Sequence, residues 1–427
     1  MNLIWLKTFT LKQRLVQLIK IVCPPPCTKV RSNIEVEAQP GPFINNRLRN
    51  AFNVIQAFKR RIQSDPKNYT GTWVGNNVCK YKGFTCAVVP DLKKLTVIGV
   101  SFNGALFGGF NNRLPLNGFI DRLEDLVFFH ANSNNFTGTV PRGTARHRFF
   151  YELDLSNNKL TGGFPNETLA ATNLTFLDLR FNSFNATVPP KVFNLDVDLL
   201  FLNNNNFQQR LPGNLGSTRA HYLTFANNKF VGSIPRSIRN ARNTLYEVLF
   251  LGNRLSGCLP YEIGYLKQAT VFDVSSNILT GPIPNSFACL GKLEYLSLAS
   301  NQFYGRVPEA VCGLRHLERF NAANNYFTRI GPACMTLIRK KILDVRGNCL
   351  PGLPNQKTAA QCAAFFSIPR TCPRRTRLSI IPCTRSLSAL NETNADINED
   401  QLTTKAYNIQ APAEAPRTYA TLMPHGH

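Results

Sequence analysis

Asparagine recurs in this chain at an interval that leaves few folds open. From Leu95 onward one order comes round repeatedly: apolar, two residues, apolar, one residue, apolar, two residues, Asn. The asparagines fall at Asn103, Asn134, Asn158, Asn182, Asn205, Asn228, Asn253, Asn277, Asn301, Asn325 and Asn348, and after the first interval the steps run between about 23 and 25 residues. Leu153-Asp154-Leu155-Ser156-Asn157-Asn158 and Leu296-Ser297-Leu298-Ala299-Ser300-Asn301 show the unit plainly. Length alone, 427 residues, suggests two or three separate domains. A period of this size overrides that count and predicts about 11 stacked coils.

Each position of the unit has a physical task. The apolar residues point inward and stack on their counterparts, each worth about 1.5–3 kcal/mol when fully buried. The Asn amide sits where the chain turns off a short strand, and it satisfies backbone groups that burial would otherwise orphan at about 1–3 kcal/mol each. Asn134, Asn158, Asn182, Asn205, Asn228, Asn253, Asn277, Asn301 and Asn325 form this expected ladder. Most units continue into Gly and then an apolar-Pro pair, as at Gly138/Pro141, Gly257/Pro260 and Gly305/Pro308, which sets the turn onto the outer side. At Arg329 a base replaces the Gly, and the repeat decays.

One coil cannot bury its own apolar face, so the ends need caps. Leu48, Phe52, Ile55, Phe58 and Ile62 share a helical face after Asn45-Asn46 and before Asp65-Pro66. Cysteines gather at both ends: Cys79 and Cys86 before the repeats, then Cys334, Cys349, Cys362, Cys372 and Cys383 after them. The expected disulfide formers are Cys79, Cys86, Cys334, Cys349, Cys362 and Cys372, which places the chain in an oxidising compartment. Cys258, Cys289 and Cys312 fall on outer turns, where they can pair with a neighbouring coil or with another chain. Cys23 and Cys27 flank a proline run without a nearby His and read as loop. The domain plan is therefore a basic segment at 1–40, a cysteine-containing cap at 41–90, repeats at 91–355, a cysteine-rich cap at 356–383 and a disordered tail at 384–427.

Localisation is inferred rather than read. Residues 1–27 carry Lys7, Lys12, Arg14 and Lys20, which interrupt every apolar stretch that a secretory leader needs, so the segment is an atypical or damaged targeting region. No run of about 18 uncharged apolar residues encodes a membrane span. Glycosylation acceptors stand at Asn68, Asn135, Asn166, Asn173, Asn185 and Asn391. There is no nucleophile-elbow Ser, no phosphate-binding Gly-Lys loop and no zinc His-Glu pattern, so neither an enzyme nor a metal or cofactor site is expected.

The whole order resembles plant extracellular leucine-rich-repeat proteins, and most of all the repeat domain of the leucine-rich repeat/extensin family. The resemblance is carried by Trp73-Val74-Gly75-Asn76-Asn77-Val78-Cys79, by Phe201-Leu202-Asn203-Asn204-Asn205, by Ser256-Gly257-Cys258-Leu259-Pro260-Tyr261, and by Asn348-Cys349-Leu350-Pro351-Gly352 with Cys362 beyond it. It covers residues 47–372. It implies an α/β solenoid, a right-handed superhelix with short parallel strands on its concave face and cysteine-containing caps. It further implies a cell-wall protein whose repeats bind small basic, cysteine-containing peptides, the rapid alkalinisation factors. The family's Ser-Pro-rich extensin tail is not matched after Cys383, which points to an extensin-less relative.

The formal charge of +24 comes from 49 Lys+Arg against 25 Asp+Glu. That excess suits an anionic neighbour, and with no nucleic-acid module present an acidic wall polymer fits better. On the strand positions expected to face outward the balance reverses. The expected partner-binding set is Tyr151, Asp154, Phe176, Asp178, Phe201, Tyr222, Tyr246, Glu247, Asp273, Glu294, Tyr295 and Asp344: acids to steer a basic peptide or protein, and rings to anchor it. The bases move to the turns, among them Arg142, Arg146, Lys191, Arg239 and Arg306, where they would meet de-esterified pectin. Two other functions fit the same layout: inhibition of a wall-degrading glycosidase, or a structural, pectin-associated role. A homodimer is left open.

Overall fold

The computed structural model describes residues 43–89, 91–373 and Cys383. The amino-terminal segment, Cys23 and Cys27, the tail from residue 384 and Asn391 lie outside the described residues. The chain divides into two compact units, one ending at Ser183 and one beginning at Phe184.

In the first unit the helix Asn46–Lys59 buries Leu48, Ala51, Ile55 and Phe58, and the Asn45 side chain caps it by accepting the Leu48 N–H at 3.1 Å. Phe58 stacks on Phe119 at 3.9 Å, so the helix closes the end of the apolar core. Ile62, expected on the same helical face, lies beyond the helix. It begins the strand Ile62–Ser64, which pairs antiparallel with Gly108–Gly109; backbone pairing to the first coil replaces a further helical turn. Trp73 is buried with its indole N–H on the Lys82 carbonyl at 2.9 Å, next to the Cys79–Cys86 disulfide.

The strand Phe84–Val89 then pairs antiparallel with Lys94–Ser101, which opens a parallel series through Phe128–His130, Glu152–Asp154 and Phe176–Asp178. The first coil corrects one expectation. Gly104 donates to the Asn132 carbonyl as Ser133 does to that of Ser156, so Ala105, not Asn103, occupies the ladder position. Asn103 faces outward and accepts the Asn132 N–H at 3.4 Å. The coil from 105 to 134 is longer than its successors because it includes the Gly108–Gly109 pairing.

The second unit carries seven parallel strands: Leu199–Phe201, Tyr222–Thr224, Glu247–Leu249, Val271–Asp273, Tyr295–Ser297, Arg319–Asn321 and Leu343–Asp344. Alternation along each strand sends the middle residue inward. Leu200, Leu223, Val248, Phe272, Leu296, Phe320 and Leu343 are accordingly buried in one row. A second parallel sheet forms on the turn side from Val231–Gly232, Arg254–Cys258, Ile278–Gly281, Gln302–Arg306 and Tyr326–Arg329. Where Arg329 stands in place of the turn glycine, its pairing with the Gln302–Arg306 strand shifts register beside Gly305. Several turns then enter a short 3-10 segment behind a proline, as at Pro235, Pro260 and Pro284.

The amide ladder joins coil to coil. Asn158 Nδ2 donates to the carbonyls of Ala131, Leu155 and Ser156 at 2.9, 3.1 and 3.0 Å, while its Oδ1 accepts the Phe136 N–H at 3.1 Å. Asn277 repeats the set with Phe250, Val274 and Ser275, accepting from Leu255. The residue two places past each asparagine, such as Phe207, Phe230, Leu255 or Phe303, is fully buried, and its N–H feeds the next amide. Directly before each asparagine the backbone is left-handed: Ser133, Asn157, Phe181, Asn204, Asn227, Ser276, Ser300 and Asn324 have φ near +52 to +56°, and Gly252 and Gly347 complete the column. Asn and Gly tolerate this region, and Phe is the poorest fit.

The carboxyl end folds back along the second unit. Thr358 caps the helix Ala359–Phe366, and Phe365 stacks on Tyr326 with ring centroids 3.5 Å apart. The Tyr304 hydroxyl donates to the Arg370 carbonyl at 3.0 Å. Cys312–Cys334 and Cys349–Cys362 are local bridges, but Cys258 pairs with Cys372 and Cys289 with Cys383, across 114 and 94 residues. Cys258 and Cys289 thus hold the returning segment of their own chain, while Cys312 bridges to the following coil. At Gly281 an added Cβ would stand 2.3 Å from the Cys372 sulfur, so only glycine lets this bridge pass.

Two stability outcomes follow. Asn277→Ala strands three carbonyls and one N–H and should lower the urea-unfolding free energy by about 3 kcal/mol or more, while the exposed Asn243→Ala changes it by less than about 0.5 kcal/mol. Phe181→Asn, which relieves a left-handed phenylalanine, should raise stability by about 1 kcal/mol in the same assay.

Candidate functional site

The outward strand positions of the first unit carry Tyr151, Glu152, Asp154, Phe176 and Asp178. Tyr151 and Phe176 are half-buried, whereas Asp154 and Asp178 are buried. Asp154 accepts the Ser156 N–H and hydroxyl at 3.0 and 2.7 Å and the Asn132 amide at 2.9 Å. Asp178 accepts the Arg180 N–H at 3.1 Å and meets the Arg180 guanidinium at 2.9 Å. Glu152, 2% exposed, bonds His130 Nε2 at 2.8 Å. These acids are committed to groups of their own coil and of the coil before it.

The second unit repeats the device. Asp273 Oδ1 accepts the Ser275 N–H at 2.8 Å, Asn321 accepts that of Ala323 at 3.1 Å, and Asp344 accepts that of Arg346 at 3.0 Å. A carboxylate or amide at the strand's last position thus receives the N–H two residues on, as an Asx turn does. Arg346 also grips the Asp344 carboxylate at 2.6 Å and, through this hydrogen bonding, lowers its pKa below the ordinary value. Phe201 and Glu247 are buried as well.

What remains accessible lies at the entrance of each strand. Tyr222, Tyr246, Glu294 and Tyr295 are half-buried, together with Asp198 and His221; Glu318 is exposed. Consecutive hydrogen bonds, Tyr246 N to His221 O, Thr270 N to Tyr246 O, Glu294 N to Thr270 O and Glu318 N to Glu294 O, set these residues in adjacent steps. His221 stacks on Tyr246 at 5.2 Å and approaches Asp198 at 3.3 Å. Tyr222 lies 6.4 Å from Tyr246, and its hydroxyl pKa is raised by burial and by the neighbouring Glu247 and Tyr246. The result is an aromatic run with carboxylates at both ends. His221 was missing from the expected set; its place directly before Tyr222, where Tyr246 stands before Glu247, is the signal that marks it.

Of the glycosylation acceptors, Asn68, Asn166, Asn173 and Asn185 are exposed and Asn135 is half-buried. Among the described residues no cluster of His, Cys, Asp or Glu could hold a metal, and no helix is long and apolar enough to cross a membrane.

Short parallel strands, an asparagine ladder and cysteine-bridged ends define a leucine-rich-repeat protein, and the Leucine Rich Repeat family model matches residues 150–169 and 292–314. Leucine-rich repeat extensin-like protein 6 of Arabidopsis thaliana is 44% identical over 333 residues, 78% of this chain and 69% of that protein. Leucine-rich repeat extensin-like protein 1 of the same plant is 40% identical over 334 residues, but the chain spans only 44% of its length. The chain belongs to the leucine-rich repeat extensin-like family. Among solved structures, the Arabidopsis receptor kinase HAESA, in complex with the peptide hormone IDA and the co-receptor SERK1, superposes with a TM-score of 0.60 at 25% identity, covering 70% of this chain and 50% of that one.

Because the Asp344 pKa is depressed in the fold, the stability it confers is fully present above the unfolded carboxylate value of about 3.9 and is lost as pH falls through the lower native value. Arg346→Gln should move the Asp344 titration, followed by carboxylate NMR, upward toward that ordinary value.

Proposed function

We propose that this is a non-enzymatic, secreted protein of the plant cell wall that takes a basic peptide, or a basic patch of a protein, on the strand face of residues 184–373. The observation that carries the reading is the run Asp198, His221, Tyr222, Tyr246, Glu294, Tyr295 and Glu318, in which accessible acids flank stacked rings. In a chain of formal charge +24, such a strip is selective for cations because the rest of the surface repels them. The rings supply rigid anchors whose burial holds the complex once formed. Family membership supports an extracellular setting, as do five disulfides among the described residues. The structural likeness to HAESA, solved in complex with a peptide hormone, supports a repeat fold that accommodates a peptide. The finer ligand class is a basic, cysteine-containing signalling peptide.

The test uses a synthetic rapid alkalinisation factor peptide and the full chain. Tyr246→Ala should weaken binding by about tenfold, as loss of a buried aromatic anchor does, and Glu294→Lys/Glu318→Lys should slow association and remove most of its salt dependence. Asp178→Lys and Asp273→Lys are unsuitable probes, since both carboxylates support their own turns. Affinity unchanged in all the strand-face variants would defeat the proposal. Capture of a folded glycosidase in place of the peptide would favour enzyme inhibition instead.

A further inference from the structure

Three arginines of the turn side are answered by acids. Arg148 meets Asp91 at 2.6 Å, Arg219 meets Asp196 at 3.2 Å, and Arg236 meets Glu262 at 2.8 Å. Others, Arg210, Arg239, Arg242, Arg254 and Arg306 among them, enter no ion pair among the described residues, and one such group in the first unit gathers about a hollow. The 3-10 segments Ile120–Arg122 and Arg142–Arg146 occupy successive coils. Beside them lies a hollow of about 430 Å³ whose lining includes Asn117, Asp121, Arg122, Thr139, Arg142 and Arg146. All three arginines are exposed, and none enters an ion pair among the described residues.

The hollow is built rather than incidental. Arg61 reaches in from the amino-terminal cap and donates to the carbonyls of Asn117, at 2.7 Å, and of Pro115, which fixes the loop that forms one wall. Asp121, the single carboxylate of the lining, accepts the Gly118 N–H at 2.7 Å. Position 143 is glycine where a Cβ would stand 2.7 Å from that of Asp121, so the second coil closes tightly on the first. The volume is within the range of about 300–1,000 Å³ usual for ligand sites, but the lining is polar and cationic where such sites are mostly apolar.

The geometry points to a binding site for an anionic oligosaccharide, with carboxylates spaced along a sugar chain. A 3-10 helix rises about 2 Å per residue, so Arg142 and Arg146 are separated by about 8 Å along its axis and engage separate anionic groups. A single phosphate or sulfate satisfies one of them and leaves the others unanswered. The guanidinium fork matches a planar carboxylate in two parallel hydrogen bonds. The Asn117 amide and the Thr139 hydroxyl, both exposed, offer donors and acceptors to sugar hydroxyls between the charges. This site is separate from the strand face and stands whether or not a peptide binds there.

The experiment is titration of the full chain with a fluorescent oligogalacturonate at low and high salt. Affinity should fall with rising ionic strength. Arg142→Gln/Arg146→Gln should weaken binding by about tenfold or more, as removal of charge-assisted hydrogen bonds does. Arg239→Gln/Arg242→Gln, the same charge change on the turn side of the other unit, should leave it within about threefold, the scale of a non-contacting surface change. Equal losses in the two double variants would show diffuse attraction and overturn the site. So would equal affinity for the fully methyl-esterified, uncharged oligomer. Displacement by inorganic phosphate at comparable concentration would assign the hollow to a small anion and overturn the oligosaccharide. If the first double variant unfolds by circular dichroism, Arg122→Gln carries the same expectation.

Discussion

One primary amide, repeated coil after coil, is the interaction that the rest depends on. Where each strand ends, the chain bends through the interior and exposes carbonyls that water cannot reach. The asparagine NH2 spreads its two protons over three of these, and its oxygen takes one N–H from the coil before. Aspartate has no proton to give at neutral pH, and serine has too few donors. The first coil lacks this amide, since Ala105 holds its place. That coil is covered instead by the helix Asn46–Lys59 and the packed rings of Phe58, Trp73, Phe102 and Phe119.

The turn that creates a need for the amide also decides which acids are available to a partner. At the strand's last outward position a carboxylate lies within reach of the N–H two residues later, and Asp154, Asp178, Asp273 and Asp344 all take it. Their charge holds the backbone in its bend. Of the acids set before a strand, Asp198 and Glu294 are half-buried and Glu318 is exposed. The acids thus differ by position: those ending a strand hold its turn, Glu152 and Glu247 at a strand's start are buried, and those preceding a strand keep more surface in solvent.

This sorting explains what was legible in the sequence. The repeat, the inward rows and the capping helix followed from periodicity, since burial imposes the same spacing in every coil. Asn103 misled because its coil is longer, and an asparagine two residues early imitates the pattern until pairing sets the register. Ile62 continued a helical stripe that backbone pairing with the first coil interrupts. Outward orientation of Asp178 was readable from alternation, but its burial beside Arg180 depends on adjacent strands about 4.8 Å apart crowding one face. The partners of Cys258 and Cys289 lie 114 and 94 residues away, a separation at which spacing carries no information about pairing.

Those two long bridges have a mechanical consequence. Tension applied to the chain beyond residue 383 does not pull first on the last coil, whose short strand Leu343–Asp344 would peel by successive loss of hydrogen bonds. It passes through covalent bonds to Cys289 and Cys258, several coils deeper, and loads that part of the stack while the terminal coils stay slack. A repeat protein tethered this way resists unzipping from its end and transfers strain to its interior.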